Sequence, residues 1–268
     1  MDTQRIYRWT IVGIDYMRVR GEIVDKQLEK KVVIDVEDLF KIYRVGDEKV
    51  RALDGVSFKV YEGEFVAIVG TSGSGKSTLL NMMAGLEPPT KGSVMVAGKR
   101  IDKMNEGQLV KLRRNKVGFI FQSFNLIGTM NAMENVALPL MFRGVEKEVR
   151  LKKAKEMLKL VGLSKHMKHI PTQMSGGQQQ RVGVARALVV DPSIIFADEP
   201  TGNLDSATTE EILELMRKMV NEQGKTLVMV THDKELAQVA DKVIHIRDGK
   251  IKKIEVNERK EKIENEIN

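Results

Sequence analysis

From Val32 onward the chain sets apolar and polar residues in two distinct rhythms. Val32-Val33-Ile34-Asp35-Val36 and Val56-Ser57-Phe58-Lys59-Val60 alternate in character, and Val94-Met95-Val96 joins them later. Alternation puts one face of a strand in a core, so these segments predict a small antiparallel sheet. Phe65-Val66-Ala67-Ile68-Val69 is instead continuously apolar, and it ends in Gly70. It reads as a buried strand followed by a helix over residues 76–84 that stops at Gly85. The stretch 117–121 reads as another buried strand, with Gln122 at its carboxyl end.

Beyond Gln122 the spacing turns helical: Ala154, Met157, Leu158 and Val161 recur on one face, which predicts an inserted helical lobe over residues 123–180. The β/α rhythm resumes with the strand Ile194-Ile195-Phe196-Ala197. After it comes a helix striped by Ile212, Leu215, Met216, Met219 and Val220 and ended by Gly224, then a strand over 226–230. Asp248-Gly249 predicts a tight hairpin between two last strands. Strands alternating with helices imply an α/β domain with a mostly parallel core sheet, spanning residues 32–254.

Chemistry concentrates where these strands end. Gly70-Thr71-Ser72-Gly73-Ser74-Gly75-Lys76-Ser77 is a complete phosphate-binding loop between a strand and a helix. Its glycines offer bare backbone N–H groups, Lys76 reaches the β and γ phosphates of a nucleotide, and the Ser77 hydroxyl ligates Mg²⁺. Asp198 and Glu199 follow the strand 194–197, and His232 follows 226–230 between a hydroxyl and a carboxylate. Carboxyl ends of strands in such sheets are where ligands bind. Met174-Ser175-Gly176-Gly177-Gln178 is a second glycine-rich helix start, with Ser175 and Gln178 fitting a capping box. One nucleotide cannot easily use two distant sites of this kind on one subunit, which points to two chains closing on shared nucleotides.

These motifs resemble those of the ATP-binding cassette transport ATPases. The resemblance implies a P-loop NTPase (RecA-like) core, an antiparallel β subdomain and a helical lobe, with ATP and Mg²⁺ as ligands. It makes Asp198 a holder of Mg²⁺, Glu199 the general base toward the attacking water, and Gln122 a sensor of both. His232 would contact the γ-phosphate, Thr78 a phosphate, and Tyr43 the adenine ring. Asn203-Leu204-Asp205 would touch the opposite subunit, while Ser175, Gly176, Gly177 and Gln178 would cap the γ-phosphate on the partner's Lys76. Two softer stretches, Phe121-Gln122-Ser123-Phe124-Asn125-Leu126 and residues 134–140, are similar to the lipoprotein-release, macrolide-export and antimicrobial-peptide-export branch. That branch implies a transmembrane permease partner, docked through Phe124, Leu126, Ile127, Met130 and Met133, and a place on the cytoplasmic face of the membrane. A cell-division relative that signals without transport and a soluble cassette ATPase stay as alternatives. A small-molecule kinase would have no use for residues 174–178.

Composition changes this little. The 268 residues carry 44 Lys and Arg against 37 Asp and Glu, an excess of +7 scattered along the chain without Arg-rich blocks, so nucleic acid is not an expected partner. With no cysteine there are no disulfides or thiolate metal sites. His166 and His169, three apart on a lysine-rich segment, lack a third ligand for a metal. No apolar run approaches the ~18 residues of a membrane span. Residues 1–31 have no signal-peptide pattern and read as an interfacial arm, an extra strand, or sequence ahead of a start at Met17. The Lys- and Glu-dense tail, 255–268, reads as a frayed helix or disordered.

Overall fold

The computed structural model describes residues 7–11, 14–19, 22–25 and 31–257. Strands β1 (Tyr7–Ile11), β2 (Ile14–Val19) and β3 (Glu22–Asp25) make an antiparallel meander. Among the described residues it shares no strand pairing with the two other sheets. Met17 lies inside β2, opposite Arg8, so a chain begun there would lose this pairing.

The antiparallel sheet expected from the alternating segments is present, with longer strands than the alternation marks. It contains β4 (Val32–Val45), β5 (Glu48–Tyr61), β7 (Lys91–Val96) and β8 (Lys99–Arg100), ordered β5-β4-β7-β8. Register shifts near residues 36–42 interrupt the β4–β5 ladder, which is why the period of two fades there.

The central sheet runs β13-β12-β6-β11-β10-β9, from β6 (Phe65–Val69), β9 (Val117–Phe121), β10 (Ile194–Asp198), β11 (Thr226–Thr231), β12 (Lys242–Arg247) and β13 (Lys250–Val256). All its pairings are parallel except β12 with β13, joined at Asp248 and Gly249, both at positive φ. The continuous apolar runs are explained by burial on both faces. Val66 and Ile68 enter one core with Ile34, Leu53 and Leu79, while Phe65, Ala67 and Val69 enter a second with Val136, Leu158 and Met216. Each such side chain contributes about 1.5–3 kcal/mol when fully buried, so a polar residue at Ile68 would break the layer.

Helix α1 (Lys76–Met83) follows β6. Helix α2 (Glu106–Lys116) was not legible in the apolar pattern because Leu112 alone is buried on it. The Asn105–Gln108 capping box at its start is the signal that marks it. The expected helical lobe consists of α3 (Ala132–Phe142), α4 (Lys147–Leu160) and the start of α5 (Gly176–Leu188). Its expected end at residue 180 falls inside α5, because buried Val182, Val184, Ala185 and Leu188 carry that helix onward into the core. Helix α6 (Ser206–Gln223) buries Ile212, Met216, Met219 and Val220, and adds Leu213 to the expected stripe. A short α7 (Lys234–Ala237) precedes β12. At the C-terminal side β13 runs to Val256, beyond the expected boundary at 254, and Asn257 Nδ2 donates to Ala240 O at 2.9 Å. The tail expected to be frayed lies, from residue 258, outside the described residues.

Candidate active site

Four neighbouring strands, β6, β11, β10 and β9, deliver the candidate residues to one rim. Their carboxyl ends carry the phosphate loop, His232, the Asp198-Glu199 pair and Gln122 respectively. The parallel registers align these ends, Asp198 lying opposite Phe121 on one side and Val230 on the other.

At the phosphate loop, Gly75 begins α1 at φ 98° with no side-chain cap. The leading N–H groups of the helix therefore keep their donors for an anion. Only glycine fits there: a Cβ would stand 2.4 Å from Ala52 O. Lys76 is 6% exposed, and its Nζ donates to Gly70 O at 2.8 Å and Thr71 O at 3.0 Å. Ser74 Oγ is buried without a hydrogen-bond partner among the described residues, a donor in a loop suited to phosphate oxygen. Thr71, Ser72 and Gly73 face solvent.

Ser77 Oγ lies 3.4 Å from Asp198 Oδ1. Burial pushes the Asp198 carboxyl above the ordinary aspartate range and Glu199 pushes it the same way, while Ser77 and Lys76 oppose them. A hydroxyl and a desolvated carboxylate beside an ammonium fit a hard, oxygen-seeking cation such as Mg²⁺. Gln122 sits against the following turn: its backbone O accepts Asn203 Nδ2 at 3.0 Å, and a Cβ at Gly202 would come 2.7 Å from its amide nitrogen.

Glu199 has φ 44°, a region costly for a residue with a side chain, and is fixed there from three sides. Its N–H donates to Val230 O at 2.9 Å, its carbonyl accepts Gly202 N at 3.1 Å, and its Oε2 meets His232 Nδ1 at 2.8 Å. His232, expected to reach a γ-phosphate, is thus engaged with the carboxylate. Tyr43 donates to Glu87 Oε2 at 2.7 Å and also bonds with Thr78, beside the first turn of α1. Burial and the Glu87 bond push its phenol pKa upward.

The second glycine motif forms the expected capping box. Ser175 Oγ accepts Gln178 N at 3.3 Å and Gln178 Oε1 accepts Ser175 N at 3.1 Å. Ser175 is exposed, and Gly176 and Gly177 are half-buried. Asp205 caps α6, its oxygens accepting Thr208 N at 2.9 Å and Thr208 Oγ1 at 3.0 Å, and these bonds hold its carboxyl below the ordinary range. His166 and His169 stack edge to face at 5.0 Å, and His166 Nε2 meets Gln178 Nε2 at 3.3 Å. Among the described residues no group of three potential ligands surrounds a metal position.

Two residues of α5 escaped sequence reasoning. Gln180 is fully buried and donates to Pro200 O, beside Glu199. Arg186, its guanidinium pKa lowered by burial, donates to Phe124 O at 2.7 Å and to Asn125 O, both residues at positive φ. Polar residues on a helix face otherwise spaced for a core were the available signal. Of the residues expected to dock a partner, Leu126 and Met133 pack against the core, and Ile127 is 38% exposed. A groove of about 520 Å³ opens between α2, β9, α3 and α5, lined by Val110, Phe119, Phe121, Pro139, Phe142 and Val190.

A family model described as ABC transporter matches residues 53–202. An ABC transporter ATP-binding protein of Thermotoga maritima is 53% identical over 225 residues, covering 84% of this chain and 96% of that protein. A macrolide export ATP-binding/permease protein of Syntrophobacter fumaroxidans is 47% identical over 221 residues, 82% of this chain and 31% of that protein. Among solved structures, a dimeric, post-hydrolysis state of a Methanocaldococcus jannaschii ATP-binding cassette bound to ADP and Pi matches with TM-score 0.78 and 44% identity, covering 83% of this chain and 98% of that one. The phosphate loop, the acidic strand end and the second glycine motif thus occur together in a chain of which relatives match more than four-fifths, and the chain belongs to the ABC transporter family.

Proposed function

We propose that this chain is the ATP-hydrolysing subunit of an ABC transporter, two copies of which close on two shared ATP molecules and drive a separate membrane permease. One observation carries this: the phosphate loop, Asp198, Glu199 and His232 assemble on one rim, whereas Ser175 to Gln178 form a second helix start of the same chain, with Ser175 exposed. The similar cassette solved as a dimer with ADP and Pi supports it. Lys76 and the free N–H groups of α1 hold the phosphate chain. Glu199 orients water and takes its proton, with His232 steadying the carboxylate, as positioning-dominated phosphoryl transfer requires. Ser77 and Asp198 would hold Mg²⁺, assisted by Gln122, and the ion supplies charge neutralisation at the phosphates. Tyr43 would stack on the adenine, Thr78 would assist at the phosphates, and Asp205 would lie at the subunit boundary. The Ser175 to Gln178 segment completes the site of the other subunit.

The similarity to macrolide-export proteins, together with the 121–126 and 134–140 stretches, favours an export-type permease at the cytoplasmic face of the membrane. Among the described residues no helix is long and apolar enough to cross a membrane, so attachment runs through the partner. The groove ending at Phe121, next to Gln122, suits an apolar cytoplasmic helix of that permease. Its lining includes the exposed Arg114, which favours an acidic residue flanking such a helix. Glu199→Gln tests the reading: with saturating Mg-ATP the variant should bind nucleotide, fail to hydrolyse it and run as a dimer in light scattering. A monomer under those conditions would sink the shared-site proposal.

A further inference from the structure

Helix α5 joins the two ends of the chemistry within one chain. Its first turn is the Ser175 cap, and Gln180, just over a turn from Ser175, is fully buried with its Nε2 donating to Pro200 O. Pro200 directly follows Glu199, whose backbone is held at φ 44°. The Glu199 N–H and carbonyl bonds go to Val230 and Gly202, and Gln180 meets the same turn from α5. Gln180 Oε1 is buried without a hydrogen-bond partner among the described residues. An apolar side chain of the same size would avoid that unpartnered oxygen, since burying an unpaired polar group costs about 1–3 kcal/mol. Keeping the amide is explained by what its nitrogen holds.

We infer that Gln180 is a positioning residue for Glu199, and that through it the helix presented to one nucleotide sets the general base for the other. This rests on the shared sites proposed above: there, a chain's Ser175 serves the partner's nucleotide while its Glu199 serves its own. Movement of α5 as Ser175 closes on a phosphate is transmitted to the Pro200 carbonyl and so to the carboxylate that orients water. Gly177 packed against Thr208, at the start of α6, gives the same helix a second contact beyond that turn. Arg186 on the same helix holds the Phe124 and Asn125 carbonyls next to Gln122.

Complementation between inactive chains separates these roles. Lys76→Ala and Gly176→Asp should each be inactive alone. Mixed, they leave one intact site, made of Lys76 and Glu199 from the Gly176→Asp chain and the second glycine motif from the Lys76→Ala chain. Failure of the mixture to hydrolyse ATP would count against shared sites and leave Gln180 to be judged by Gln180→Leu in the otherwise natural chain, where an unchanged kcat overturns the positioning role. Where activity is restored, Gln180→Leu placed in the Gly176→Asp chain should lower kcat roughly 10- to 100-fold with KM for ATP nearly unchanged, the scale expected when a reacting group is displaced by about 1 Å. The same change in the Lys76→Ala chain should leave the restored rate within about twofold. Equal losses from both placements, loss only from the second, or no loss from the first would each overturn the inference. Melting curves of both doubly substituted chains exclude unfolding as the source of an asymmetric effect.

Discussion

The two glycine-rich helix starts of this chain are built on opposite plans. At the phosphate loop, Gly75 gives α1 no side-chain cap, Ser74 Oγ has no hydrogen-bond partner among the described residues, and the buried ammonium of Lys76 donates to loop carbonyls. At the second motif, Ser175 and Gln178 satisfy each other in a closed capping box, with Ser175 exposed and Gly176, Gly177 and Gln178 half-buried. The first is an anion site with unsatisfied donors and its own positive charge. The second is a finished helix end that adds contacts without supplying a cation. In the shared-site proposal the difference divides the labour between two similar-looking sequences, one to bind a nucleotide and the other to complete a site already occupied.

The largest expected effect tests that division directly. Lys76→Ala removes the buried cation and should abolish measurable ATP binding in titration calorimetry, by 100-fold or more if charge-assisted bonds of about 1.5–3 kcal/mol each are lost at two phosphates. Gly176→Asp should leave monomer affinity within about twofold and remove hydrolysis, since its carboxylate would meet phosphate only across the dimer. Equal losses of affinity would erase the contrast.

How much of this contrast was legible in the sequence follows from what each part depends on. The strands 65–69 and 117–121 and the loop between β6 and α1 were readable because burial on both faces leaves an unbroken apolar run, and eight positions in order admit few other structures. The capping box at Ser175 was likewise a local pattern and appeared as read. Helix α2 escaped because it buries a single leucine, and the long strands β4 and β5 escaped because their ladder shifts register. Tertiary partnerships were not readable at all. Gln180 with Pro200, Arg186 with the carbonyls after Gln122, and His232 with Glu199 join segments 20 to 62 residues apart. Packing of the lobe was not readable for the same reason: Leu126 and Met133, in a polar-flanked stretch, lie partly buried against the core, while Phe119 and Phe121, on a strand, line the open groove.

Glycine substitutions give the next largest effect. Gly75→Ala forces a side chain into φ 98° and to 2.4 Å from a backbone oxygen, which cannot rotate away. Strain of about 1–2 kcal/mol from the left-handed backbone alone, plus the clash, should lower the melting temperature by about 5 °C or more and remove ATP binding. At Gly177 an added Cβ would stand 2.4 Å from Thr208 Cγ2, a side chain that can shift at the cost of its bond to Asp205. Gly177→Ala should therefore keep ATP affinity within about twofold while hydrolysis falls roughly tenfold or more through the displaced α5–α6 contact. Loss of affinity at Gly177 comparable to that at Gly75 would show that the second motif binds nucleotide in the monomer.

The smallest effect carries the sharpest sign. Ser175→Ala deletes a satisfied cap and should lower stability by about 1 kcal/mol, a fall of about 2–4 °C. Asp198→Asn removes a carboxylate whose burial and proximity to Glu199 disfavour its charge, and should raise the melting temperature by about 1–3 °C in chelator without nucleotide, while ending hydrolysis. The raised folded pKa means that the folded chain holds more protons than the unfolded one between the ordinary aspartate range and its own higher value. Stability contributed by this group therefore falls as pH rises through that window and stays low above it. The advantage of Asp198→Asn should accordingly be full above the raised value and shrink on acidification toward the ordinary aspartate range, whereas the loss at Ser175→Ala should not track that window. Scanning calorimetry of both variants against the natural chain across pH reads the two signs together. A destabilising Asp198→Asn at pH 7 would mean that the phosphate-loop side is as internally satisfied as the second motif, and the contrast between the two helix starts would then reduce to charge alone.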